Sequence, residues 1–191
     1  MTHVVPDARL LSAAAAGDEM AFLVLYERHR DPLFRFLRRY SGSAELAEDV
    51  THDCFVSLIR APSRYDPGQA SLRTYLCGAG RNLLVSRLRH EGRETPMDDE
   101  AEGDLGRLEE TESGPLDRVL AREVQDVVAD AVARLPAFQR EAIILFEYEE
   151  LTLAEIAHVA QADVGTIKSR LRRARENLRR WLLPVRQKES V

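Results

Sequence analysis

The sequence predicts an all-α protein built from two small helical domains that a flexible acidic linker joins. Apolar residues recur every three or four positions along most of the chain, which is the period of an amphipathic helix. No segment shows the sustained apolar–polar alternation of a half-buried β-strand. One acidic stretch rich in glycine and proline interrupts the helical pattern. These observations place the first domain at residues 1–90, the linker at 91–115 and the second domain at 116–183.

The composition argues against several classes of protein. The chain has 191 residues, of which 45% are hydrophobic and 31% charged, as in soluble globular proteins. It has no apolar run near the roughly 18 residues of a membrane span, and it lacks the pattern of a signal peptide. Its two cysteines and five histidines are scattered, without the spacing of zinc ligands. We therefore expect a cytoplasmic protein with no membrane insertion, metal, cofactor or small-molecule substrate, in which Cys54 and Cys77 are small buried hydrophobic residues.

Local signals predict the first two helices of the first domain. A short alanine-rich helix ends near Gly17, and Asp18 can cap the helix that follows. We expect Pro32 to restart or kink this second helix, because proline is tolerated only in a first helical turn. The apolar face of the second helix is formed by Phe22, Leu25, Tyr26, Leu33, Leu37 and Tyr40.

Ser43 begins a third helix that has one apolar and one acidic face. The buried side is predicted to contain Leu46, Ala47, Val50, Cys54, Phe55 and Leu58. The opposite side presents Glu45, Glu48, Asp49, His52 and Asp53. A loop at 61–70 follows, and a last helix from about residue 71 to residue 90 ends with the basic residues Arg81, Arg87 and Arg89.

The acidic stretch explains why a protein of net charge −5 can still contain a strongly basic surface. Residues 91–117 include eleven acidic and two basic side chains, a net charge of −9, so the rest of the chain carries +4. From 168 to 188 there are nine basic residues against one acidic residue. Because nucleic acids respond to local charge, the average net charge does not argue against DNA binding.

The second domain ends in a helix-turn-helix pattern. One helix is predicted over 116–135, and Pro136 begins the next. Thr152 and Glu155 have the spacing of a capping box at the start of the first helix of the motif. The second helix has an apolar stripe formed by Val164, Ile167, Leu171, Ala174 and Leu178. Its other side presents Thr166, Lys168, Ser169, Arg170, Arg172, Arg173 and Arg175, and we expect Trp181 to pack back onto the domain.

A helix that packs on one side and presents arginine, lysine and serine on the other suits the major groove of DNA. A basic amphipathic helix can also be a solvated face, lie on a membrane or bind a protein partner. The capped helix and short turn in front of it favour DNA binding. Membrane binding would need large exposed apolar side chains, which this helix lacks.

Four segments in this order resemble the extracytoplasmic-function (ECF) sigma factors, the small subunits that direct bacterial RNA polymerase to promoters. The segments read AEDVTHDCFVSLIR (47–60), RTYLCGAGRNLLVSRLR (73–89), LPAFQREAIILFEYEELTLAEIA (135–157) and VGTIKSRLRRAR (164–175). Two departures concern glycine. Gln161 stands where the family usually has a turn glycine, a position that favours positive φ, and Gly78 and Gly80 stand inside a helix.

The resemblance implies a reader of the upstream, −35 promoter element in the second domain. The positions that match the family's base contacts are Lys168, Ser169, Arg172 and Arg173. Arginine can form paired hydrogen bonds with guanine O6 and N7. Thr166, Arg170 and Arg175 are expected to contact phosphates. Such contacts position the helix without specifying sequence.

The resemblance implies two surfaces in the first domain. One melts and captures the downstream, −10 element with Arg64, Tyr65, Asp66, Arg81, Asn82 and Arg87, since holding an unstacked base requires a pocket beside cations that follow the strand. The other docks on the β′ clamp helices of core polymerase through Glu48, Asp49, His52 and Asp53. Further expected partners are the β flap of the polymerase, promoter DNA and an anti-sigma factor.

Three other functions fit part of the sequence. A response-regulator-type activator can share this helix-turn-helix, but it needs a receiver domain that contains β-strands. A nuclease or hydrolase built on Thr51, His52 and Asp53 is disfavoured, because adjacent helix residues diverge and no glycine-rich phosphate loop is present. An interaction protein that does not bind DNA would leave the basic helix without a role.

Overall fold

The computed structural model describes residues 5–90 and 116–188, with side chains described for 5–90 and 125–183. All regular elements in these ranges are helical. The α-helices are α1 (Asp7–Ala15), α2 (Glu19–Ser41), α3 (Ala44–Arg60), α4 (Leu72–His90), α5 (Leu116–Ala133), α6 (Ala137–Ile143), α7 (Leu153–Ala160) and α8 (Val164–Lys188). A 3₁₀ turn covers Pro62–Arg64, and a π-helical turn covers Ile144–Tyr148. The predicted all-α class is confirmed, and the predicted linker at 91–115 lies outside the described residues.

Helices α1 to α4 form the first domain around a core of leucine and aromatic side chains. The predicted caps are confirmed: Asp18 accepts a hydrogen bond from the Ala21 amide, and Ser43 accepts one from the Leu46 amide. Pro32 lies inside α2, so the predicted restart is wrong, and a kink at this position stays a prediction. Apolar packing offsets the local cost of proline, since Leu33 and Leu37 just after it are buried.

Cys54 and Cys77 are buried free thiols, as the sequence predicts. Burial raises the pKa of each thiol to about 12, so both stay protonated and unreactive near neutral pH. No helix in the described part of the chain is long and apolar enough to cross a membrane.

Helices α5 to α8 form the second domain. Thr152 and Glu155 make the predicted capping box at the start of α7. Gln161, which ends that helix, has φ of 53°, so the turn does require the left-handed conformation although the residue is not glycine. Trp181 packs against the core, with the Arg134 guanidinium 5.1 Å from its ring centre.

Two side chains of α8 differ from the predicted pattern. Val164 is 38% exposed and does not join the apolar stripe, because the first helical turn extends beyond the core. Arg170, expected on the outer face, is only 9% exposed and lies over the Phe138 ring at 4.1 Å. Arg170 lies at the edge of the apolar stripe, beside Leu171 and one turn after Ile167. At this position the Phe138 ring of α6 covers its side chain.

The two domains pack directly against each other. Helix α4 of the first domain lies against α7 of the second, and α2 lies against the π-helical turn. Gly78 of α4 faces α7 at ordinary contact distance, since an added Cβ atom would lie 3.9 Å from the Val159 Cα atom. The sequence predicts both domains but not this contact between them.

Candidate nucleic-acid interface

The N-terminus of α8 is built by a cap that sequence reasoning missed. The Asp163 carboxylate accepts hydrogen bonds from the Thr166 amide (2.8 Å) and hydroxyl (2.7 Å). These bonds, led by that from the hydroxyl, lower the pKa of Asp163. Aspartate three residues before threonine is the signal that could have identified this cap. The cap fixes the start of α8, and it also engages Thr166, a predicted phosphate contact.

The four predicted base-contacting residues all reach the surface of α8. Lys168 and Arg172 are exposed, and Ser169 and Arg173 are half-buried. Arg172 makes an ion pair with Glu176 one turn later, at 2.9 Å. Because both members of this pair are exposed, DNA can compete for the guanidinium at little cost.

Arg175 is held more firmly than a solvated arginine. Its guanidinium lies 5.0 Å from the centre of the Phe146 ring, and it pairs with Glu147 at 2.8 Å. Phe146 and Glu147 both belong to the π-helical turn, a type of irregularity that recurs at functional sites. A groove of about 650 Å³ lies between this turn and the outer face of α8.

The loop before α4 presents part of the predicted set for the −10 region. Tyr65 packs on Tyr75 with 5.5 Å between ring centres. Asp66 accepts hydrogen bonds from the Gly68 amide (2.9 Å) and the Gln69 side chain (3.0 Å), which fix the loop shape. Arg64 and Asp66 are exposed, so a nucleic-acid strand can reach them.

The members of the same set on α4 differ in accessibility. Asn82 is exposed, and its side-chain oxygen accepts a hydrogen bond from Arg81 at 3.3 Å. Arg81 itself is only 7% exposed and forms an ion pair with Glu141 of the second domain. Arg87 pairs with Asp53 and lies 3.5 Å from Asp49 on α3. In this arrangement of the domains, Arg81 cannot contact DNA.

The acidic face of α3 is formed as predicted. Glu48, Asp49 and His52 are exposed, and Asp53 is half-buried. Arginines border this face, since Arg30 lies 3.6 Å from Glu48, and Arg87 lies close to the two aspartates. A cleft of about 410 Å³ lies between this face and α2, and both arginines line it. The face can therefore accept a basic partner that replaces the internal ion pairs.

Sequence reasoning missed Glu141 and Glu149, two buried acidic residues of the second domain. Their arginine partners lie on the first domain, 60 or more positions earlier in the chain. No pattern within a single helix marks such a pair.

Two family models match the chain, and each covers most of one of the domains described above. Residues 25–94 match Sigma-70 region 2, and residues 125–178 match Sigma-70, region 4. The first range includes the acidic face of α3 and the −10 set, and the second includes α7 and α8 as far as residue 178.

Relatives match nearly end to end. The chain is 31% identical over 186 residues to the RNA polymerase sigma-H factor of Pseudomonas aeruginosa, covering 94% of this chain and 95% of that protein. It is 30% identical over 191 residues to the ECF RNA polymerase sigma-E factor of Escherichia coli K12, covering 97% and 98%.

Two solved structures share the fold. The sigma factor RpoE in complex with the anti-sigma factor NepR from Bartonella quintana superposes with a TM-score of 0.66 at 27% identity, covering 84% of this chain and 96% of that one. CnrH in complex with the cytosolic domain of CnrY gives a TM-score of 0.64 at 26% identity, covering 92% and 96%.

Proposed function

The chain belongs to the ECF sigma factors of the sigma-70 family, and from that premise we propose how it directs core RNA polymerase to specific promoters. The observation that carries the proposal is one chain that joins an acidic helix face to an exposed basic helix-turn-helix. We assign polymerase docking and the −10 element to residues 1–90. We assign recognition of the −35 element to residues 116–183, and residues 91–115 connect the two domains.

We propose that α8 reads the −35 element in the major groove. Lys168, Ser169, Arg172 and Arg173 contact bases, and the arginines suit guanine through paired hydrogen bonds. Arg175 and the N-terminal turn at Thr166 contact phosphates. Arg170 contributes to phosphate binding only if its side chain leaves the Phe138 ring.

The −10 element would be melted and held by the loop before α4 and by α4 itself. Tyr65, supported by Tyr75, offers an aromatic face to an unstacked base. Arg64, Asp66 and Asn82 border that face, and Arg81 and Arg87 supply cations for the strand once their carboxylate partners release them.

Docking on polymerase would use the acidic face of α3 against the β′ clamp helices. Glu48, Asp49, His52 and Asp53 supply the charge complementarity that speeds association and fixes register. We propose that the second domain contacts the β flap, and that the protein acts in the cytoplasm as a polymerase subunit and not as an enzyme.

We also propose that an anti-sigma factor inhibits this chain, because the two structural relatives are described as complexes with such a factor or with the cytosolic domain of a second protein. The inhibitor would cover the acidic face of α3 or insert between the domains. Affinity purification from cells should recover it. Constitutive activity with no recovered partner would contradict this part of the proposal.

Run-off transcription with purified core polymerase tests the function. The full chain should yield discrete transcripts whose start sites, mapped over a genome, share two spaced promoter elements. Asp49→Lys should weaken holoenzyme formation about tenfold or more, because it reverses a charge on the docking face. Glu27→Lys, the same kind of change at an exposed residue of α2, is the matched control and should have little effect. Sequence-independent or absent transcription would contradict the proposal.

A further inference from the structure

The N-terminal helix α1 carries none of the residues assigned above to DNA or polymerase, yet it packs behind the loop before α4. Leu10, Leu11 and Ala14 are buried in the core of the first domain. The same helix contacts α2, α3 and the 3₁₀ turn Pro62–Arg64, which leads into Tyr65. Because Tyr65 is a proposed −10 contact, α1 lies next to the −10 surface without belonging to it.

Polar contacts of Asp7, which we call the α1 tie, hold the N-terminal end of α1 on α2. One oxygen of the Asp7 carboxylate accepts a hydrogen bond from the Arg28 guanidinium. The other lies 2.9 Å from His29 Nε2, which must be the donor because a carboxylate can only accept. Arg28 also donates to the Val5 carbonyl at 3.0 Å. Two neighbouring residues of α2 therefore bind both the side chain of Asp7 and the backbone in front of it.

The α1 tie is partly shielded from solvent. The side chain of Asp7 is 23% exposed and that of His29 only 10%. Burial lowers the pKa of His29 and outweighs the opposing charge of Asp7, so the imidazole is neutral near pH 7. A partly buried carboxylate that accepts from both an arginine and an imidazole is held more firmly than an exposed ion pair.

The Asp7 carboxylate lies close enough to Tyr65 to act on its hydroxyl. Burial raises the pKa of Tyr65, and the negative charge of Asp7 is the next cause, ahead of that of the adjacent Asp66. The Tyr65 ring is half-buried and packs on Tyr75 of α4. Tyr65 is therefore supported from two directions in the chain, by α4 and by the N-terminal end of α1.

The hydrogen bonds of the loop itself do not fix where it lies on the domain. Asp66 accepts from Gly68 and Gln69, and both partners belong to the loop. Such bonds fix the shape of the loop, but they would move with it. Its position relative to the domain therefore depends on the helices that pack against it.

We propose that Asp7 is a positioning residue for the −10 element. By tying α1 to Arg28 and His29 of α2, it holds α1 behind the loop. The loop then presents Tyr65 at a fixed place to an unstacked base. The positioning of the loop stands on these contacts alone, and its effect on the −10 element rests on the proposed function. Docking through α3 and reading of the −35 element by α8 do not depend on the α1 tie.

Hydrogen–deuterium exchange of the free full-length chain tests the positioning of the loop. The amides of Arg64 and Tyr65 donate hydrogen bonds to carbonyls of the 3₁₀ turn and the residue before it, so their exchange reports opening of the loop. Asp7→Asn keeps the size of the side chain and removes its charge, and it should speed exchange over residues 61–70 several-fold. Glu27→Gln, which removes one charge from an exposed position of α2, is the matched control and should follow the wild type.

DNA binding by the holoenzyme separates positioning from a general loss of folding. D7N should weaken binding of a single-stranded −10 oligonucleotide from a mapped promoter by about 3- to 10-fold, part of what stacking on one aromatic ring contributes. Holoenzyme assembly and binding of a −35 duplex should not change. Asp7→Glu keeps the carboxylate and should recover most of the affinity. In a Tyr65→Ala background D7N should have little further effect, because both changes then act on the same contact.

Two results would overturn the positioning role of Asp7. One is equal exchange over residues 61–70 in D7N and E27Q. The other is an equal loss in D7N of −10 binding, −35 binding and holoenzyme assembly. Faster exchange in D7N without any −10-specific binding by the wild-type holoenzyme would support the α1 tie and contradict the proposed function.

Discussion

Two exposed arginines of α8, Arg172 and Arg175, differ in their surroundings. Arg172 makes one exposed ion pair with Glu176, so it is available to a base. Arg175 is held by Phe146 and Glu147 at a fixed place on the surface, which suits a phosphate contact. Substitutions at these two positions should therefore have different signatures.

Arg172→Ala should cost about 1–3 kcal/mol of binding at a cognate −35 element, because it removes a paired contact to a base. Much of that loss should disappear on templates in which the corresponding base pair is already changed. Arg175→Ala should weaken all templates alike and reduce the salt dependence by about one phosphate contact. The measurement is holoenzyme binding across single-base promoter variants at several salt concentrations. Identical, uniform losses for both substitutions would show that α8 is only an electrostatic anchor.

Glu155, which belongs to the capping box of α7, should make the stability of the protein depend on pH in the acidic range. Its pKa is lowered below the ordinary value of 4.5, first by the Thr152 amide and also by the hydroxyls of Thr152 and Thr74. The resulting stabilisation is complete above pH 4.5 and is lost as the pH falls through the lowered pKa. Glu155→Gln should therefore reduce the unfolding free energy near pH 7 and make it less dependent on pH below 4.5.

Urea denaturation of the full chain between about pH 3 and pH 7 measures this effect. Glu150→Gln, at an exposed glutamate outside the capping box, is the control and should follow the wild type. Parallel pH curves for E155Q and the wild type would contradict the role of the capping box.

At the element scale, two glycines of α4 have opposite surroundings although they are two positions apart. A Cβ atom on Gly80 would lie 3.2 Å from side-chain carbons of both Leu33 and Leu37 on α2. Both leucines are buried and have little room to move. Gly78 faces α7, where the nearest atom to an added Cβ is the Val159 Cα at 3.9 Å.

Gly80→Ala should destabilise the first domain by about 1–3 kcal/mol through overpacking, which exceeds the gain in helix propensity. Gly78→Ala has no such clash and should be neutral or stabilising by up to about 1 kcal/mol. Urea denaturation of the two variants gives the comparison directly. Equal effects of both substitutions would mean that α2 and α4 are not closely packed at Gly80.

At the scale of the whole molecule, the two DNA-binding surfaces do not form one continuous site. The face of α8 that carries Lys168 and Arg172 is exposed, while Arg81 on α4 is covered by the second domain. Affinity for a promoter depends on engaging both surfaces at once. In this arrangement the α8 surface is exposed, whereas the −10 surface is only partly accessible because Arg81 is buried.

The free chain should therefore bind a promoter duplex at least about 100-fold more weakly than the holoenzyme, since simultaneous engagement of two linked sites contributes factors of this size. Titration of a fluorescent promoter duplex at physiological salt measures both affinities. A scrambled duplex controls for charge alone. Nanomolar, sequence-specific binding by the isolated chain would contradict the prediction.

Local signals in the sequence identified the helices, three of their caps and the two helical domains, but not the Asp163 cap of α8. Asp18, Ser43 and Thr152 cap helices through bonds to amides three residues away, and apolar periodicity marks each buried face. Such signals are local and can be read from a short window. For the same reason the sequence predicted that the acidic face of α3 is exposed. The positive φ at Gln161 was instead implied by the resemblance to the family, which usually has a turn glycine there.

The packing of the helices and the contact between the domains could be determined only from the tertiary structure. Pro32 lies inside α2 and Arg170 is buried, because packing partners elsewhere in the chain outweigh local preference. Val164 is exposed because the first turn of α8 extends beyond the core. The ion pairs of Arg81 with Glu141 and of Arg73 with Glu149 join residues 60 and 76 positions apart. Periodicity identifies the face of a helix but not its partner, since the partner depends on shape and charge complementarity across the interface.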